Sequence, residues 1–595
     1  HLKFIFMQII RVNLLKVVMY SFQAPSQKYG VYAAITVLLF GSGKQIFTEG
    51  FGVLQQQFFW FGLYGWLAAA IIVGSLVYLI FNLLGFCKSK SPKVSTSDDQ
   101  ESSPALADKL AAGALPEWEY DDLLAPPPFN LRNTLTMIGP SVILLGTSIG
   151  GGEWLLGPAV TAQYGGFLLW LVPVAIVLQA IINTEFVRYT MYTGEPIFTG
   201  FMRTQPGPQF WGLFYTTISF FQLAWPGWAS AAATTFTALF IGDVPSAEHA
   251  NLIKIFGVAW FLSIAGIILF GEKIEKTIEI VQWFFVVTII LFLGVLTWLY
   301  VSPFAYKRAI DGIFDFGTLP PGMNWLLINA FVSDAGAGGV INATLSNWFR
   351  DKGYGMGGKV GYIPAIIGGS KPSLTQTGKI FRLTPENRER WRGWWKFVDV
   401  DQYGIWAIGC FLGMILPALI TLQFIPAGTE FVNEFGIAVY QAQYIVWATG
   451  NDFLWLPTLL VGFWILYSTQ LGITDAFVRM VTDIVWSSSS RFRASRSGDI
   501  RLVYYGVFFL FILQGVLILL IDVNPLFLIL IGANIAGLNL AILGLHTLYV
   551  NRKFLPLELQ PPLWRQIVIL FGVAFYGFFF YKAASELFNQ LFSFT

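Results

Sequence analysis

Charged residues are scarce in this 595-residue chain: Asp, Glu, Lys and Arg make up 12% of it, against 55% hydrophobic residues. A mean hydropathy of +0.63 is too apolar for a soluble protein. The net charge of +2 is nearly neutral, so the composition gives no sign of nucleic-acid binding. The sequence therefore predicts an all-α polytopic membrane protein, for which the lipid bilayer is the main partner.

Cysteine and histidine are almost absent, with two and three residues respectively. Cys87 ends one apolar stretch and Cys410 lies inside another, which argues against a disulfide framework or a thiolate metal cluster. The histidines, His1, His249 and His546, form no HExxH or Ser-His-Asp pattern. We therefore expect neither an enzyme nor a bound cofactor.

Apolar stretches of about 20 residues, the length that a bilayer requires, recur along the chain. They predict one leading span and eleven more: 58–86, 137–161, 165–191, 211–241, 252–271, 279–301, 322–347, 404–425, 455–486, 502–522, 525–549 and 564–584. Lys and Arg are concentrated in alternate connections, which the positive-inside rule places in the cytoplasm together with the segment before residue 137. We expect a bacterial-type inner or plasma membrane.

Three segments precede the main series of spans. Residues 1–57 are apolar but interrupted by Arg11, Asn13 and Lys16, which favours an interfacial or membrane-associated segment. A cleaved signal peptide is the alternative for its first part. Residues 58–87 are predicted to form an extra transmembrane helix. The Ser-, Pro- and Asp-rich residues 88–136 predict a flexible cytoplasmic linker. If the chain is a non-transporting subunit of a larger assembly, protein partners would dock through this N-terminal extension.

Two Gly-rich breaks, each carrying one acid, interrupt two of the predicted spans. They are Thr147-Ser-Ile-Gly-Gly-Gly-Glu153 and Ser333-Asp-Ala-Gly-Ala-Gly-Gly339. Burying a carboxylate at bilayer depth is costly, so Glu153 and Asp334 indicate a functional site. Glycine runs let a helix unwind, which frees backbone carbonyls to face an ion or solute near the membrane midplane. Such breaks are typical of transporters.

A second group of polar residues in the predicted spans forms a candidate coupling path for protons or cations: Asp475, Ser468, Thr469, Asn534 and Asn539. For Asp475 the structural alternative is an ion pair with Arg479, four residues further along a helix. For the two asparagines the alternative is hydrogen bonding between helices. Both interpretations remain open from the sequence.

One Gly-rich signal resembles those of nucleotide-binding proteins. Gly353-Tyr-Gly-Met-Gly-Gly-Lys359 fits GxGxxG and most of a phosphate loop, but Val360 stands where Ser or Thr would hold magnesium. The motif also follows a predicted transmembrane helix, whereas a nucleotide fold requires a preceding strand. The sequence therefore favours an ordinary Gly-rich loop over a nucleotide-binding site at this position.

The stretch from Gly139 to Gly194 carries a family resemblance. The segments Gly139-Pro-Ser-Val-Ile-Leu-Leu-Gly-Thr-Ser-Ile-Gly-Gly-Gly-Glu-Trp154 and Gln163-Tyr-Gly-Gly-Phe-Leu-Leu-Trp170 resemble the natural resistance-associated macrophage protein (Nramp) family of divalent-metal transporters. The resemblance continues more weakly to about residue 584. It implies the LeuT fold, with an inverted repeat of five helices and an additional helix. The implied parts are a first repeat at 137–301, a second at 322–549 containing a cytoplasmic loop at 350–403, and a C-terminal helix at 564–595.

The chain departs from that family at the metal site. The first break of the family has the sequence Asp-Pro-Gly-Asn, and the corresponding residues here are Gly150, Gly151, Gly152 and Glu153. The family's Met-Pro-His in the sixth core helix falls near Ser333, Asp334 and Ala335. The usual aspartate, thioether and histidine are therefore missing, and two carboxylates stand nearby instead.

The resulting candidate site for a metal or another substrate is made of oxygen donors and small residues: Glu153, Asp334, Gly150, Gly151, Gly152, Ser333 and Ala335. Such donors suit hard cations such as Mg²⁺, Ca²⁺ or Mn²⁺. The leading hypothesis is a secondary active transporter of a divalent cation, with Mg²⁺ or Mn²⁺ favoured, that works by alternating access. Glu153 is the candidate carrier if protons are coupled. The alternatives are an ion-coupled symporter of an amino acid or amine, and a non-transporting subunit of a larger assembly.

Overall fold

Long apolar helices dominate the computed structural model, which describes residues 115–369, 374–375, 377–429, 439–488, 499–520 and 525–592. Within these ranges, eight helices are long and apolar enough to cross a membrane, and one bent pair would make nine. The segments predicted at 1–57 and 58–87, and linker residues 88–114, lie outside the described residues. For the described part, the predicted polytopic helical architecture is confirmed.

The first half of the described chain contains one short strand and ten helices. In chain order they are β1 (Glu119–Tyr120), α1 (Leu131–Met137), α2 (Pro140–Ser148), α3 (Gly157–Tyr164), α4 (Leu171–Thr193), α5 (Ile197–Met202), α6 (Pro208–Leu223), α7 (Gly227–Ile241), α8 (Ala250–Leu269), α9 (Ile274–Tyr300) and α10 (Pro303–Phe314). A π-helical turn, Gly152–Leu156, leads into α3.

The second half contains a second strand and ten more helices. In chain order they are α11 (Trp325–Ser333), α12 (Val340–Lys352), α13 (Gly357–Val360), β2 (Lys379–Ile380), α14 (Pro385–Asp399), α15 (Ile408–Phe424), α16 (Tyr440–Thr449), α17 (Trp455–Ser488), α18 (Arg501–Leu519), α19 (Pro525–Phe554) and α20 (Leu563–Phe592). The near face is defined here as the end of the helical bundle at which α2 begins.

Three predicted spans are divided into shorter helices. The Gly-rich breaks separate α2 from the π-helical turn and α11 from α12, as the sequence predicts. A third interruption separates α6 from α7 at Pro226, which lacks the N–H that a continuous helix needs. These divisions explain why the described ranges contain eight long apolar helices, although eleven spans are predicted there.

The helix predicted to begin at residue 404 is longer than expected. It starts with α14 and continues through a π-helical turn at 400–407 into α15, so it extends the span by about five turns. Thr384 caps its first turn, and the apolar side of α14 is buried at Trp394 and Phe397. The sequence-based expectation of a loop over 350–403 is therefore wrong for residues 385–399. The many charged residues on the exposed side of α14 make its sequence resemble that of a polar loop.

The last part of the predicted linker is ordered. β1 pairs in parallel with β2, with Glu119 opposite Lys379 and Tyr120 opposite Ile380. Leu123, four residues after β1 begins, is fully buried. The expectation of a flexible linker is therefore wrong for residues 115–130, because its polar composition does not reveal backbone pairing with a distant loop.

A buried ion network joins α12 to α17 toward the near face. Arg479 lies 2.9 Å from Asp475 and also binds Asp351. Arg350 pairs with Asp351 and with Asp483, both at 2.7 Å. None of the five side chains belongs to a residue more than 3% exposed. Because each charge has a partner of opposite sign, the network can remain ionised within an apolar bundle.

Replacing Arg479 with Met should destabilise the fold by about 3–5 kcal/mol, because Asp475 and Asp351 would lose their shared partner. The loss would be measured as a lower thermal unfolding midpoint in detergent. Arg392→Met is the matched control, since Arg392 is exposed on α14 and its replacement should change stability by no more than about 0.5 kcal/mol. Equal unfolding midpoints for the two variants would contradict the assignment.

Candidate functional site

The two helix breaks meet in the interior of the bundle. A Cβ atom on Gly152 would lie 2.4 Å from the carbonyl oxygen of Asp334. The neighbouring Gly151 is similarly crowded, since a Cβ there would lie 2.6 Å from the indole nitrogen of Trp228. Only glycine permits backbones and side chains to approach so closely. The glycine run therefore brings the first break into contact with the second.

Helix α17 supports the first break from another side. The Thr469 hydroxyl donates a hydrogen bond to the carbonyl of Ile149 at 3.2 Å, immediately after the last turn of α2. A Cβ on Gly150 would lie 2.1 Å from that hydroxyl oxygen. Trp406 adds a hydrogen bond from its indole N–H to the hydroxyl of Ser148 at 3.1 Å. Side chains thus satisfy backbone and hydroxyl groups where the helix stops.

A glutamine on α4, which sequence reasoning missed, organises the second break. Gln179 donates from Nε2 to the carbonyl of Ser333 at 3.1 Å. Its Oε1 accepts hydrogen bonds from the backbone N–H groups of Ala337 and Gly338, at 3.1 and 3.3 Å. Gln179 is fully buried. One side chain therefore supplies both the donor and the acceptor that the unwound backbone needs.

A second missed glutamine holds the same break from α6. Gln222 donates from Nε2 to the carbonyl of Gly338 at 3.0 Å. Its Oε1 accepts from the backbone N–H of Val340 at 3.1 Å and from Asn539 Nδ2 at 2.7 Å. An isolated glutamine within an apolar span is the only sequence signal that could have identified either residue.

Asp334 lines a cavity of about 20 Å³ between the two breaks. This volume suits one water molecule or one small ion. The polar and small residues on its wall include Ser148, Gly151, Gly152, Gln222, Asp334 and Thr469. The predicted residues Gly151, Gly152 and Asp334 are therefore brought together around one small space.

Glu153 lies in the π-helical turn and is not among the residues that line this cavity. It is fully buried, and its Oε2 accepts a hydrogen bond from the N–H of Gly150 at 2.8 Å. Its Oε1 has no hydrogen-bond partner within the described part of the chain. On α15, a Cβ at Gly413 would lie 3.5 Å from Glu153 Cγ. The carboxylate therefore packs beside α15, on another side of the first break.

The remaining predicted site residues lie beside the cavity. The Ser333 hydroxyl would be 2.6 Å from a Cβ on Gly537 of α19, and it has no hydrogen-bond partner in the ranges that the structure covers. Ala335 is buried within the second break. Among the described residues, no group of three or more His, Cys, Asp and Glu side chains is arranged to hold a metal. Ion binding by this set stays a prediction.

The candidate coupling residues make structural contacts. Asp475 accepts hydrogen bonds from Trp348 Nε1 at 2.8 Å and from the Tyr504 hydroxyl at 2.6 Å, besides its ion pair with Arg479. Asn534 Oδ1 accepts from Asn329 Nδ2 at 2.8 Å. The carbonyl of Ser468 accepts a hydrogen bond from Gln282 Nε2 at 3.0 Å. The ion pair and the interhelical hydrogen bonds expected as alternatives are thus present, and a coupling role for these residues stays a prediction.

The Gly-rich segment at 353–359 lacks the setting of a phosphate loop. It follows α12, and Gly353 ends that helix in a left-handed conformation with φ of +90°. Lys359 Nζ lies 3.0 Å from a carboxylate oxygen of Asp121. The glycines and the lysine thus belong to the near-face loop and its contacts.

Comparison with solved structures identifies the fold. A manganese transporter from Eremococcus coleocola, in a single-residue mutant form, is similar with a TM-score of 0.56 and 11% sequence identity, over 79% of this chain and 91% of that one. The same transporter with an aromatic bis-isothiourea compound gives a TM-score of 0.56 and 11% identity, with coverage of 80% and 92%. No protein-family model and no curated protein matches the sequence. The chain is an integral membrane protein with a LeuT-type fold, as the family resemblance of its sequence implies, and its likeness to the manganese transporter is one of fold.

Gly152→Ala should destabilise the protein by about 1–3 kcal/mol, because the added methyl would overlap the Asp334 carbonyl. Gly294→Ala is the matched control, since a Cβ there meets nothing within 4 Å and alanine favours the helix by about 1 kcal/mol. Thermal unfolding of both variants would test the contact. A Gly152→Ala protein as stable as the Gly294→Ala protein would refute the close approach of the two breaks.

Proposed function

We propose that this protein is a secondary active transporter of a divalent cation bound by hard oxygen ligands, with Mg²⁺ or Mn²⁺ favoured. The observation that carries this proposal is the cavity of about 20 Å³ between the two broken helices, with Asp334 on its wall. Such a volume suits an ion and is too small for an amino acid or amine. The size of the cavity therefore favours the ion over the organic solute.

The chemistry around the cavity supports a hard cation. Asp334 carries a carboxylate, and Ser148 and Thr469, which lie on the same wall, carry hydroxyl groups. Mg²⁺ and Mn²⁺ prefer such oxygen donors, and Mg²⁺ usually keeps several of its own waters. Because few protein oxygens surround the cavity, waters retained by the ion would fill its remaining coordination positions.

Similarity to a manganese transporter adds support for a metal cargo. That protein shares the fold at low sequence identity, so the cargo is inferred from it by analogy. The residues that would discriminate among metals differ here, because neither Met nor His stands within the second break. Oxygen ligands without a thioether favour Mg²⁺ and Mn²⁺ over softer metals.

Alternating access would move one group of helices against the other around the ion. We assign α2, α3, α11 and α12 to the moving group. Basic residues such as Arg203, Lys273 and Lys359 lie in the connections of the near face, which we assign to the cytoplasm. Glu153, buried outside the cavity, would carry a proton if transport is proton-coupled.

Uptake into proteoliposomes tests this function with Mg²⁺, Mn²⁺ and Ca²⁺ offered separately. Asp334→Asn should reduce uptake at least about tenfold, because even outer-shell partners of a bound metal typically have that much effect. Glu153→Gln should abolish the pH dependence of uptake if this residue carries the proton. Glu248→Gln is the matched control, because Glu248 is exposed and lies outside both breaks.

Three outcomes would count against the proposal, each against a different part of it. Absence of uptake for all three ions by the unmodified protein would reject a divalent-cation carrier. Uptake by Asp334→Asn at the rate of the Glu248→Gln control would remove Asp334 from the site. Uptake by Glu153→Gln that keeps its pH dependence would reject Glu153 as the proton carrier.

A further inference from the structure

The segment Leu115–Asn130 lies across the near face and leads directly into α1 and α2. Its strand β1 pairs with β2, and the N–H of Asp121 donates to the carbonyl of Ile380 at 2.9 Å. Leu123 is fully buried against the rest of the chain. The segment is thus held by both backbone pairing and apolar burial.

Asp121 joins the segment to two lysines on separate parts of the loop between α12 and α14. Its two carboxylate oxygens lie 3.0 Å from Lys359 Nζ and 3.0 Å from Lys379 Nζ. These hydrogen bonds lower the pKa of Asp121 to about 2. The carboxylate therefore stays charged at physiological pH, and its stabilising contribution is lost only as the pH falls through that low value.

The near face has a surface shaped for this segment. A Cβ on Gly358 would lie 2.6 Å from Leu124 Cδ1, and one on Gly393 would lie 2.7 Å from Pro126 Cγ. Trp394 Nε1 donates to the carbonyl of Leu124 at 2.8 Å. Part of the Gly-rich loop that resembles a phosphate loop therefore accommodates the chain's own preceding segment.

The same segment also contacts helices outside the proposed moving group. The Arg203 guanidinium stacks over the Trp118 ring at 4.5 Å, and Arg203 Nη1 donates to the carbonyl of Pro116 at 2.7 Å. Trp118 also packs edge-on against Phe554, at the end of α19, with ring centroids 5.5 Å apart. Arg203 directly follows α5, which packs against α6, α17 and α19 and also contacts α12. Through Trp118 and Phe554, the segment thus links the loop that follows α12, a member of the proposed moving group, to α19 outside that group.

We propose that Leu115–Asn130 is a clasp that holds the near face closed, so that opening of this face in the transport cycle requires release of the clasp. This inference rests on the proposed alternating access. A connection that spans a moving group and a fixed group must stretch or detach when they separate. Each contact of the clasp therefore adds to the stability of the near-closed conformation.

Thiol labelling tests the clasp without requiring transport. Ser346→Cys places a reporter on α12 at a buried position, where a hydrophilic maleimide reacts only when the near face opens. The reporter would be examined in nanodiscs, with labelling of the parent protein subtracted. Asp121→Asn should raise the labelling rate about threefold, since two partly exposed ion pairs are lost.

Gly393→Ala tests the receiving surface independently of the segment. Alanine favours a helix more than glycine does, so α14 should remain intact. The added methyl would displace Pro126, so labelling should again rise about threefold. Glu117→Gln is the matched control, because Glu117 lies exposed in the same segment and should leave the labelling rate unchanged.

Ionic strength provides a second readout that local unfolding would not reproduce. Raising salt from about 0.1 M to about 1 M shortens the screening length from about 10 Å to about 3 Å. Labelling should accelerate in the reporter protein with Asp121 intact and not in the Asp121→Asn variant. Labelling rates that are equal in all variants and insensitive to salt would overturn the clasp, whereas a failure of ion uptake alone would count only against the proposed cargo.

Discussion

Hydrogen bonds from side chains to the backbone of two broken helices are the interactions on which the rest of this structure depends. A helix that stops inside a bilayer leaves N–H and C=O groups that lipid cannot satisfy. Gln179 and Gln222 satisfy such groups in the second break, and Thr469 binds a carbonyl at the first. Because these partners fix the unwound segments, the two breaks can pack against each other and enclose an ion-sized cavity.

The two glutamines differ in the helices that carry them, and this difference bears on the proposed mechanism. Gln179 belongs to α4 and Gln222 to α6, yet both bind Gly338. If α6 stays fixed while α11 and α12 move, the bonds of Gln222 must change during transport. The clasp on the near face would oppose the same motion from a distance, through Trp118 on one side and Asp121 on the other.

Much of this arrangement could be predicted from sequence because it follows from local composition. Glycine runs and isolated acids within apolar spans located both breaks, and the spacing of apolar stretches located the helices. The side on which Glu153 packs could not be predicted, because the turn at Gly152–Leu156 is π-helical and directs its residues differently from an α-helix. The roles of Gln179 and of residues 115–130 were also missed, since both depend on contacts with residues far away in the chain.

The central claim is that one divalent cation binds between the two helix breaks, at Asp334. Anomalous diffraction from crystals soaked in Mn²⁺ would test it most directly, with crystals of the Asp334→Asn variant as the control. The account predicts a single strong peak within coordination distance of the Asp334 carboxylate, and its loss in the variant. A peak beside Glu153 and α15 instead, or a peak at Asp334 that persists in the variant, would contradict the account.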